Sequence, residues 1–401
     1  MKTLIKNGRV IDPANGIDAL MDVLIENGKI ISVTSSCNDN AKKIIDASGF
    51  WVTPGLIDIH VHLRDPGELH KETVKTGTRA AAAGGFTTVC CMPNTSPVTD
   101  SAERVEYINE TAKKDGTVRV VPIGSITKGL LGEELSEMKK MKQAGVCAVS
   151  DDGKTVKEPA IFVAAMKLAK ELDLPVLAHC EPEEEIIARD IALAKETDTK
   201  LHICHVSTAR GVELIRAAQE SGQEVTAEAA PHHFTLTDED NPTYDPNFKM
   251  SPPLRKHADR TAIIAALKDG IISTIATDHA PHHEDDKNRS YENTANGIIG
   301  LETAIPLAIS ELICTGVLSP LQLIEKFTVN PAEILNLNLG HLSPGTVADI
   351  TIIDPSANHI IDKNKFESLS RNTPFHGRKV TGCIVYTIFA GQIIYKGESI
   401  C

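Results

Sequence analysis

Short apolar runs alternate with amphipathic segments through the middle of the chain. The runs are rich in β-branched residues and lack strict alternation, as expected of parallel strands covered on both faces. Segments with helical periodicity lie between them. This order predicts βα units around a parallel sheet. The predicted strands are Leu56–His62, Thr87–Met92, Val118–Ile123, Val146–Ser150, Pro175–Cys180, Leu201–Val206, Val225–Ala229 and Ser273–Thr277.

Eight such strands fit a (β/α)8 barrel of the TIM type. The main alternative is an open doubly wound sheet, but no predicted strand is followed by a complete GxGxxG turn. The predicted helices include Glu72–Ala83, Glu133–Ala144, Val156–Leu172, Glu183–Lys195, Ala209–Ser221 and Arg260–Asp269.

The two ends of the chain have a different pattern. The first 53 residues contain Asn-Gly dipeptides at positions 7, 15 and 27, which are typical of hairpins. Strand-like runs return after residue 343, at 347–354 and 380–389. Neither end has enough apolar faces to fold alone. We therefore expect residues 1–53 and 343–401 to form one small β-sandwich domain, and residues 54–342 to form the barrel.

Composition narrows the classes of function. A chain of 401 residues with 41% hydrophobic content can bury a large core. Its net charge of −13 argues against nucleic-acid binding, and an anionic substrate would need local cations. No apolar run is long enough to span a bilayer. The nine cysteines are odd in number and form no CxxC pattern, which favours reduced thiols in the cytoplasm.

The strand Leu56–His62 ends in a candidate metal site. Side chains alternate across a strand, so His60 and His62 point to the same face and Arg64 follows with the same parity. An isolated His-x-His is about as often a pair of solvated histidines as a metal site. The other strand ends decide between these interpretations.

Polar residues cluster at the carboxyl ends of the predicted strands, where barrel enzymes place their active sites. Histidine and carboxylate side chains there suit zinc, manganese or cobalt. Their number exceeds the ligands of one catalytic ion and fits two ions that share a bridge. One carboxylate could carry a proton to a leaving nitrogen. The candidate ligands are His60, His62, Asp152, His179, His205 and Asp278.

Neighbouring polar residues are expected to have other roles. Only one of Asp151 and Asp152 should face the metals. The remaining expectations are a structural role for His202, a hydrogen bond to the backbone for His279, packing roles for Cys180 and Cys204, rim positions for His232 and His233, and a solvated helix start at Glu183, Glu184 and Glu185.

Specific motifs are distributed along almost the whole chain. With them the chain resembles the cyclic amidohydrolases, and in particular the long-chain bacterial dihydroorotases. The motifs are DIHVHLRDPG (58–67), GGFTTVCCMPNT (84–95), SDDGK (150–154), HCE (179–181), HVST (205–208), PPLR (252–255), ATDHAPH (276–282) and GLETA (300–304), with LIKNGRVIDP (4–13) and GTVADITIID (345–354) at the flanks.

The resemblance implies a reaction and a cofactor. Members of that family reversibly cyclise N-carbamoyl-L-aspartate to (S)-dihydroorotate in de novo pyrimidine (UMP) biosynthesis, using a water activated by two metal ions. The implied cofactor is two zinc ions per subunit, with manganese and cobalt as alternatives. The implied metal roles are His60, His62 and Asp278 on one ion, His179 and His205 on the other, and Asp152 as the bridge; Asp278 is also the implied general base and acid.

The resemblance also implies a set of substrate contacts. Arg64 and Asn94 would bind the substrate carboxylate, and His62 and His282 would also contact the substrate. Three further residues are weaker candidates for substrate contact, because the sequence departs from the family pattern at them or next to them. Ser251 stands where Asn is usual before PPLR, and Asn296 precedes the retained Gly297. The connection between His179 and His205 is also shorter than is usual in the family.

Two other functions remain open from the sequence. One is another cyclic amidase, such as an allantoinase or a hydantoinase, although these usually bridge their metals with a carbamylated lysine. The other is a non-catalytic subunit that scaffolds an aspartate transcarbamoylase. The expected partners are a small-molecule substrate, a second copy in a homodimer and such a transcarbamoylase, with neither nucleic acid nor membrane.

Overall fold

The computed structural model describes residues 2–37 and 39–397, and it contains the eight predicted core strands. Most are shorter than predicted, and several of them end early because the chain turns into a loop at the polar end of the barrel. The strands are β1 Lys2–Asp12, β2 Ile17–Glu26, β3 Lys29–Thr34, β4 Lys43–Asp46, β5 Trp51–Pro54, β6 Leu56–Val61, β7 Phe86–Cys91, β8 Arg119–Pro122, β9 Val149–Ser150, β10 Val176–Ala178, β11 Leu201–Ile203, β12 Val225–Ala229, β13 Thr274–Ile275, β14 Ile350–Ile360, β15 Lys379–Phe389 and β16 Gln392–Lys396.

Helices cover the outside of the core strands. A π-helical turn at Ile309–Ile313 continues the helix before it. The α-helices are α1 Val74–Ala83, α2 Ala102–Asp115, α3 Met138–Ala144, α4 Pro159–Glu171, α5 Glu183–Thr197, α6 Ala209–Glu220, α7 Pro231–Thr235, α8 His257–Asp269, α9 Glu284–Lys287, α10 Ala304–Ala308, α11 Pro320–Glu325 and α12 Val329–Ile334.

The eight core strands close into a parallel barrel. Strands β6–β8 form one parallel sheet and β9–β13 form another. Parallel bridges between Gly124 and Val149 and between Val61 and His279 join the two sheets at both edges. The buried Asp58 carboxylate reinforces the second junction, because it accepts hydrogen bonds from the Thr277 backbone N–H at 3.2 Å and the Thr277 hydroxyl at 2.5 Å. The barrel prediction is therefore confirmed, and the open-sheet alternative is wrong.

Both chain ends contribute to one separate sheet. Its order is β16-β15-β14-β5-β1-β2-β3, with β4 paired to β1. Apolar side chains from both ends, including Val10, Ile25 and Ile352, meet in a core of their own. We propose residues 1–53 and 343–401 as one domain and residues 54–342 as the barrel domain. No helix in the described ranges is long and apolar enough to cross a membrane.

Candidate metal centre and active site

The predicted ligands meet at the carboxyl end of the barrel. Each comes from the end of a different βα unit, except for the pair on β6, so the closed barrel brings distant residues together. His60 lies in β6 and His62 just after it, Asp152 follows β9, His179 follows β10, His205 follows β11 and Asp278 follows β13. All six residues are buried.

His60, His62 and Asp278 form the first group. The distance from His62 Nε2 to Asp278 Oδ1 is 3.0 Å, and from His60 Nε2 to the same oxygen it is 3.6 Å. One ligand atom from each residue lies within 4.8 Å of the others. This spacing can hold one ion.

Asp152 lies between the first group and a second pair of histidines. Its Oδ1 is 3.6 Å from His179 Nδ1 and 3.8 Å from His205 Nε2. The same oxygen is 3.2 Å from His60 Nε2, and Oδ2 is 3.6 Å from His62 Nε2. One carboxylate therefore faces both groups, as a bridging ligand must.

The chemistry of these buried atoms fits a cation. His60 Nε2, Asp152 Oδ1 and His205 Nδ1 have no hydrogen-bond partner among the described residues. Such atoms are costly to bury unless something binds them. Burial disfavours protonation of His60, but the carboxylates of Glu228, Asp278 and Asp152 outweigh it and raise the His60 pKa. The pocket thus attracts positive charge.

The carboxylates of this centre stay ionised. Burial alone would raise the pKa of Asp278, but His60 and His62 outweigh that effect and lower it. Asp152 behaves in the same way, since burial is overcome by His60, His179 and His205 and its pKa falls well below the usual range. Both groups are therefore negatively charged and can bind cations at neutral pH.

Three residues of the site have left-handed backbone conformations. The φ angles are +58° at Arg64, +33° at His205 and +47° at Asp278. This region is unusual for residues other than glycine, and such strain is concentrated at functional sites. The turns redirect the chain immediately after strands β6, β11 and β13.

Arg64 and His282 lie next to each other beside the first metal-ligand group. Arg64 Nε donates to the Pro281 carbonyl at 3.1 Å, and its Nη2 is 3.3 Å from His282 Nε2. Burial lowers the Arg64 pKa, although the neighbouring acids oppose this shift. Burial and the Arg64 charge lower the His282 pKa to about 2, so His282 is neutral. Arg64 supplies the positive charge for an anionic substrate, whereas neutral His282 donates its Nε2–H to the Asn296 carbonyl and keeps Nδ1 as an acceptor.

Asn94 links the two groups of metal ligands. Its Oδ1 is 2.9 Å from His62 Nδ1, and its Nδ2 donates to Asp152 Oδ2 at 3.0 Å. An amide nitrogen carries two hydrogens, so one remains for a substrate carboxylate. Asn94 thus orients the candidate ligands His62 and Asp152, in addition to its predicted contact with the substrate carboxylate.

The three weaker candidates occupy two walls of the site. Ser251 is partly exposed in a cavity of about 510 Å³ that His179 also lines. The Asn296 carbonyl is 2.8 Å from His282 Nε2. A Cβ on Gly297 would come within 2.5 Å of the Ala280 carbonyl and the His282 ring. Asn296 and Gly297 therefore shape the position of His282.

Most of the secondary expectations agree with the structure. Asp151 accepts from the Ile126 and Thr127 backbone N–H groups and does not join the metal cluster. His279 accepts from the Gly300 N–H at 3.2 Å. His202 bonds to Thr226 and Glu228, while Cys180 and Cys204 belong to apolar cores.

Two expectations are wrong. His232 and His233 are buried, and His233 Nε2 donates to the Pro252 carbonyl at 3.1 Å, so neither residue lies at an exposed rim. Glu183 is buried as well, because donors on Ser207 and Thr208 bind its carboxylate. Only Glu184 and Glu185 form the exposed helix start.

Glu228 is the important residue that the sequence pattern did not single out. It lies in β12 within a strand that reads as apolar, and its carboxylate accepts from His60 Nδ1 at 2.6 Å. A glutamate inside a buried strand was the available signal, because an unpaired carboxylate is rarely buried.

Comparison with known proteins gives the class of this chain. The model of the amidohydrolase family matches residues 51–394. Over an alignment of 424 residues the chain is 46% identical to a dihydroorotase of Geobacter metallireducens, covering 99% of this chain and 100% of that one. It is 47% identical to a dihydroorotase of Pelotomaculum thermopropionicum over 427 residues, with full coverage of both. The chain belongs to the amidohydrolase family and, within it, to the dihydroorotases.

A solved structure agrees with this class. The L-hydantoinase (dihydropyrimidinase) of Arthrobacter aurescens superimposes with a TM-score of 0.92 at 26% identity, covering 100% of this chain and 97% of that one. The alignment with the Pelotomaculum relative is longer than the 401 residues of this chain, so that relative has residues that this chain lacks. This length difference agrees with the expectation of a shortened segment.

Proposed function

We propose that this protein is a dihydroorotase that reversibly cyclises N-carbamoyl-L-aspartate to (S)-dihydroorotate with two divalent ions, zinc in the first instance. The observation that carries the proposal is the position of Asp152 between two groups of buried histidines. The full-length relatives named dihydroorotase support the choice of substrate. The proposal includes de novo pyrimidine biosynthesis in the cytoplasm as its biological setting.

His60, His62 and Asp278 would hold one ion, His179 and His205 the other, and Asp152 would contact both. Bound ions of this kind would polarise an amide carbonyl. They would also lower the pKa of a water molecule, so that it can lose a proton and attack near neutral pH. The protein must then supply substrate orientation and proton transfer.

Arg64 and Asn94 supply the orientation. The guanidinium presents a fork that matches a carboxylate, and its burial strengthens that interaction. Asn94 is held by its bonds to His62 and Asp152, and the free hydrogen on its Nδ2 can donate to the same substrate carboxylate. His282 is neutral and donates its Nε2–H to the Asn296 carbonyl, so its Nδ1 can accept one further hydrogen bond from the substrate.

Asp278 transfers the proton. Its pKa is lowered, so it is ionised before the reaction and can take a proton from the attacking water. It can then give that proton to the departing ring nitrogen. In the cyclisation direction the same carboxylate would remove a proton from the ureido nitrogen and give it to the departing hydroxide, which leaves as water.

A direct assay tests the proposal. Metal-reconstituted protein should cyclise N-carbamoyl-L-aspartate at mildly acidic pH and hydrolyse dihydroorotate at alkaline pH. Hydantoin, dihydrouracil and allantoin should be turned over at least a hundredfold more slowly. Failure with both dihydroorotase substrates would contradict the proposal.

The hydantoinase-like fold makes a second cyclic amidase activity the main competitor. Preferential turnover of hydantoin or allantoin in the same panel would select it. Metal binding without turnover of any substrate would favour the non-catalytic subunit. The proposed homodimer and the proposed complex with an aspartate transcarbamoylase are tested by light scattering and by titration with that enzyme.

A further inference from the structure

Glu228 connects both groups of candidate metal ligands beneath the centre. It is 1% exposed, and its Oε1 accepts from His60 Nδ1 at 2.6 Å and from the His205 backbone N–H at 3.2 Å. Its Oε2 is 3.2 Å from His202 Nε2. One carboxylate thus contacts a ligand from each group and a third histidine that is outside the metal cluster.

The contact with His60 determines which nitrogen of that ring carries the proton. A carboxylate accepts only, so Nδ1 must be the protonated nitrogen when His60 is neutral. The lone pair then lies on Nε2, the atom that faces Asp152 Oδ1 at 3.2 Å. The opposite tautomer would set the Nδ1 lone pair against a carboxylate oxygen at 2.6 Å, which is repulsive.

A purely structural role does not account for this arrangement. If Glu228 served only to satisfy His202, the shortest of its bonds would not be the one to His60. Burying a carboxylate is costly, and three donors converge to offset that cost. Two of the three belong to candidate ligand residues, His60 and His205.

We propose that Glu228 is a positioning residue of the metal centre, which holds His60 in the Nδ1–H tautomer and fixes the backbone at His205. This inference rests on the proposed function, since it concerns the two metal sites. Hydrogen bonds from ligating histidines to carboxylates orient the ring and raise its basicity. Glu228 would orient the His60 ring of the first group in this way. Its bond to the His205 backbone N–H would fix the distance between the first and the second group of ligands.

The test is equilibrium zinc affinity, measured by competition with a chromophoric chelator. Glu228→Gln keeps the shape of the side chain, but its amide can donate to Nδ1 and so permits the wrong tautomer. We expect the variant to bind zinc about 10–100-fold more weakly than the unmodified protein. Glu228→Asp keeps the charge on a shorter side chain and should recover part of the loss.

Glu72 offers a matched control. It is also a fully buried carboxylate paired with a histidine, since its Oε2 is 3.3 Å from His279 Nε2. His279 is not in the candidate metal cluster. Glu72→Gln should therefore lower thermal stability without a tenfold change in zinc affinity.

A second measurement does not depend on any variant. In the zinc-loaded protein labelled with ¹⁵N-histidine, His60 should show a proton on Nδ1 and metal coordination through Nε2. Coordination through Nδ1 would overturn the inference. So would equal zinc affinity in the unmodified protein and Glu228→Gln, or equal losses in Glu228→Gln and Glu72→Gln. If the unmodified protein itself binds no zinc, the proposed metal centre fails instead.

Discussion

Glu183 provides a prediction about the stability of the segment that follows His205. Its Oε1 accepts from the Ser207 N–H at 3.0 Å, the Thr208 N–H at 2.8 Å and the Thr208 hydroxyl at 2.9 Å. Its Oε2 accepts from the Ser207 hydroxyl and is 3.4 Å from Arg255 Nη2. The start of α5, just after His179, is therefore tied to the loop after His205.

The two replacements at Glu183 should differ in magnitude. Glu183→Gln can keep the bonds to Oε1 but loses the charge and the acceptor at Oε2, which costs about 1.5–3 kcal/mol. Glu183→Ala leaves the Ser207 and Thr208 N–H groups without their partner, at about 1–3 kcal/mol each. The two N–H groups together give about 2–6 kcal/mol. Because the adjacent cavity admits water, we expect a total in the lower half of that range, about 3 kcal/mol.

The assay is urea unfolding of the metal-free protein, with Glu184→Gln as the control. Glu184 is exposed on the same first turn of α5, so both changes remove the same favourable interaction with the helix N-terminus. Burial would raise the Glu183 pKa, but the Ser207 and Thr208 donors outweigh it and lower the pKa below its usual 4.5. Its stabilisation is therefore present above about pH 4.5 and lost as pH falls further. Equal stability of Glu183→Gln and Glu184→Gln at pH 7 would refute this reasoning.

The remaining predictions concern the candidate site. Asp278→Asn should reduce turnover by about 10²–10⁴-fold, while elemental analysis still finds metal bound by His179 and His205; near-normal activity would contradict its role in proton transfer. Arg64→Lys replaces a planar fork with a point charge, so KM for N-carbamoyl-L-aspartate should rise roughly tenfold, a loss of about 1.4 kcal/mol, with a smaller change in kcat; an unchanged KM would exclude Arg64 as the carboxylate anchor. Gly297→Ala should displace His282, because the added Cβ would contact its ring, and kcat/KM should fall while metal content stays the same; unchanged kinetics would show that His282 does not need this position.

Local sequence patterns predicted the part of the site that depends on the geometry of a single strand. The period of two in a strand placed His60 and His62 on one face, and β6 confirms it. The barrel topology then brought Asp152 and Asp278 to the same end. These predictions needed only the strand ends and the rule that parallel barrels place their active sites there.

Contacts between distant segments were the part that local patterns could not provide. Glu183 begins a run of three glutamates, which is typical of an exposed helix start, but donors more than twenty residues away bury it. Glu228 lies in an apolar strand, and its partner His60 is 168 residues earlier. The residues next to Glu183 and Glu228 in the sequence do not indicate these distant hydrogen-bond partners.

Backbone conformation explains the shorter strands. Arg64, His205 and Asp278 adopt positive φ angles, which no residue pattern at these positions predicts. The predicted strand Leu201–Val206 therefore ends at Ile203, two residues before the turn at His205. Site geometry overrides strand propensity at these positions.

The barrel should hold two metal ions with Asp152 between them. Crystals of zinc-loaded protein, with diffraction data collected on both sides of the zinc absorption edge, would locate the ions directly. Two anomalous peaks should appear, one among His60, His62 and Asp278 and one beside His179 and His205. A single peak, or peaks that Asp152 does not contact, would contradict the claim.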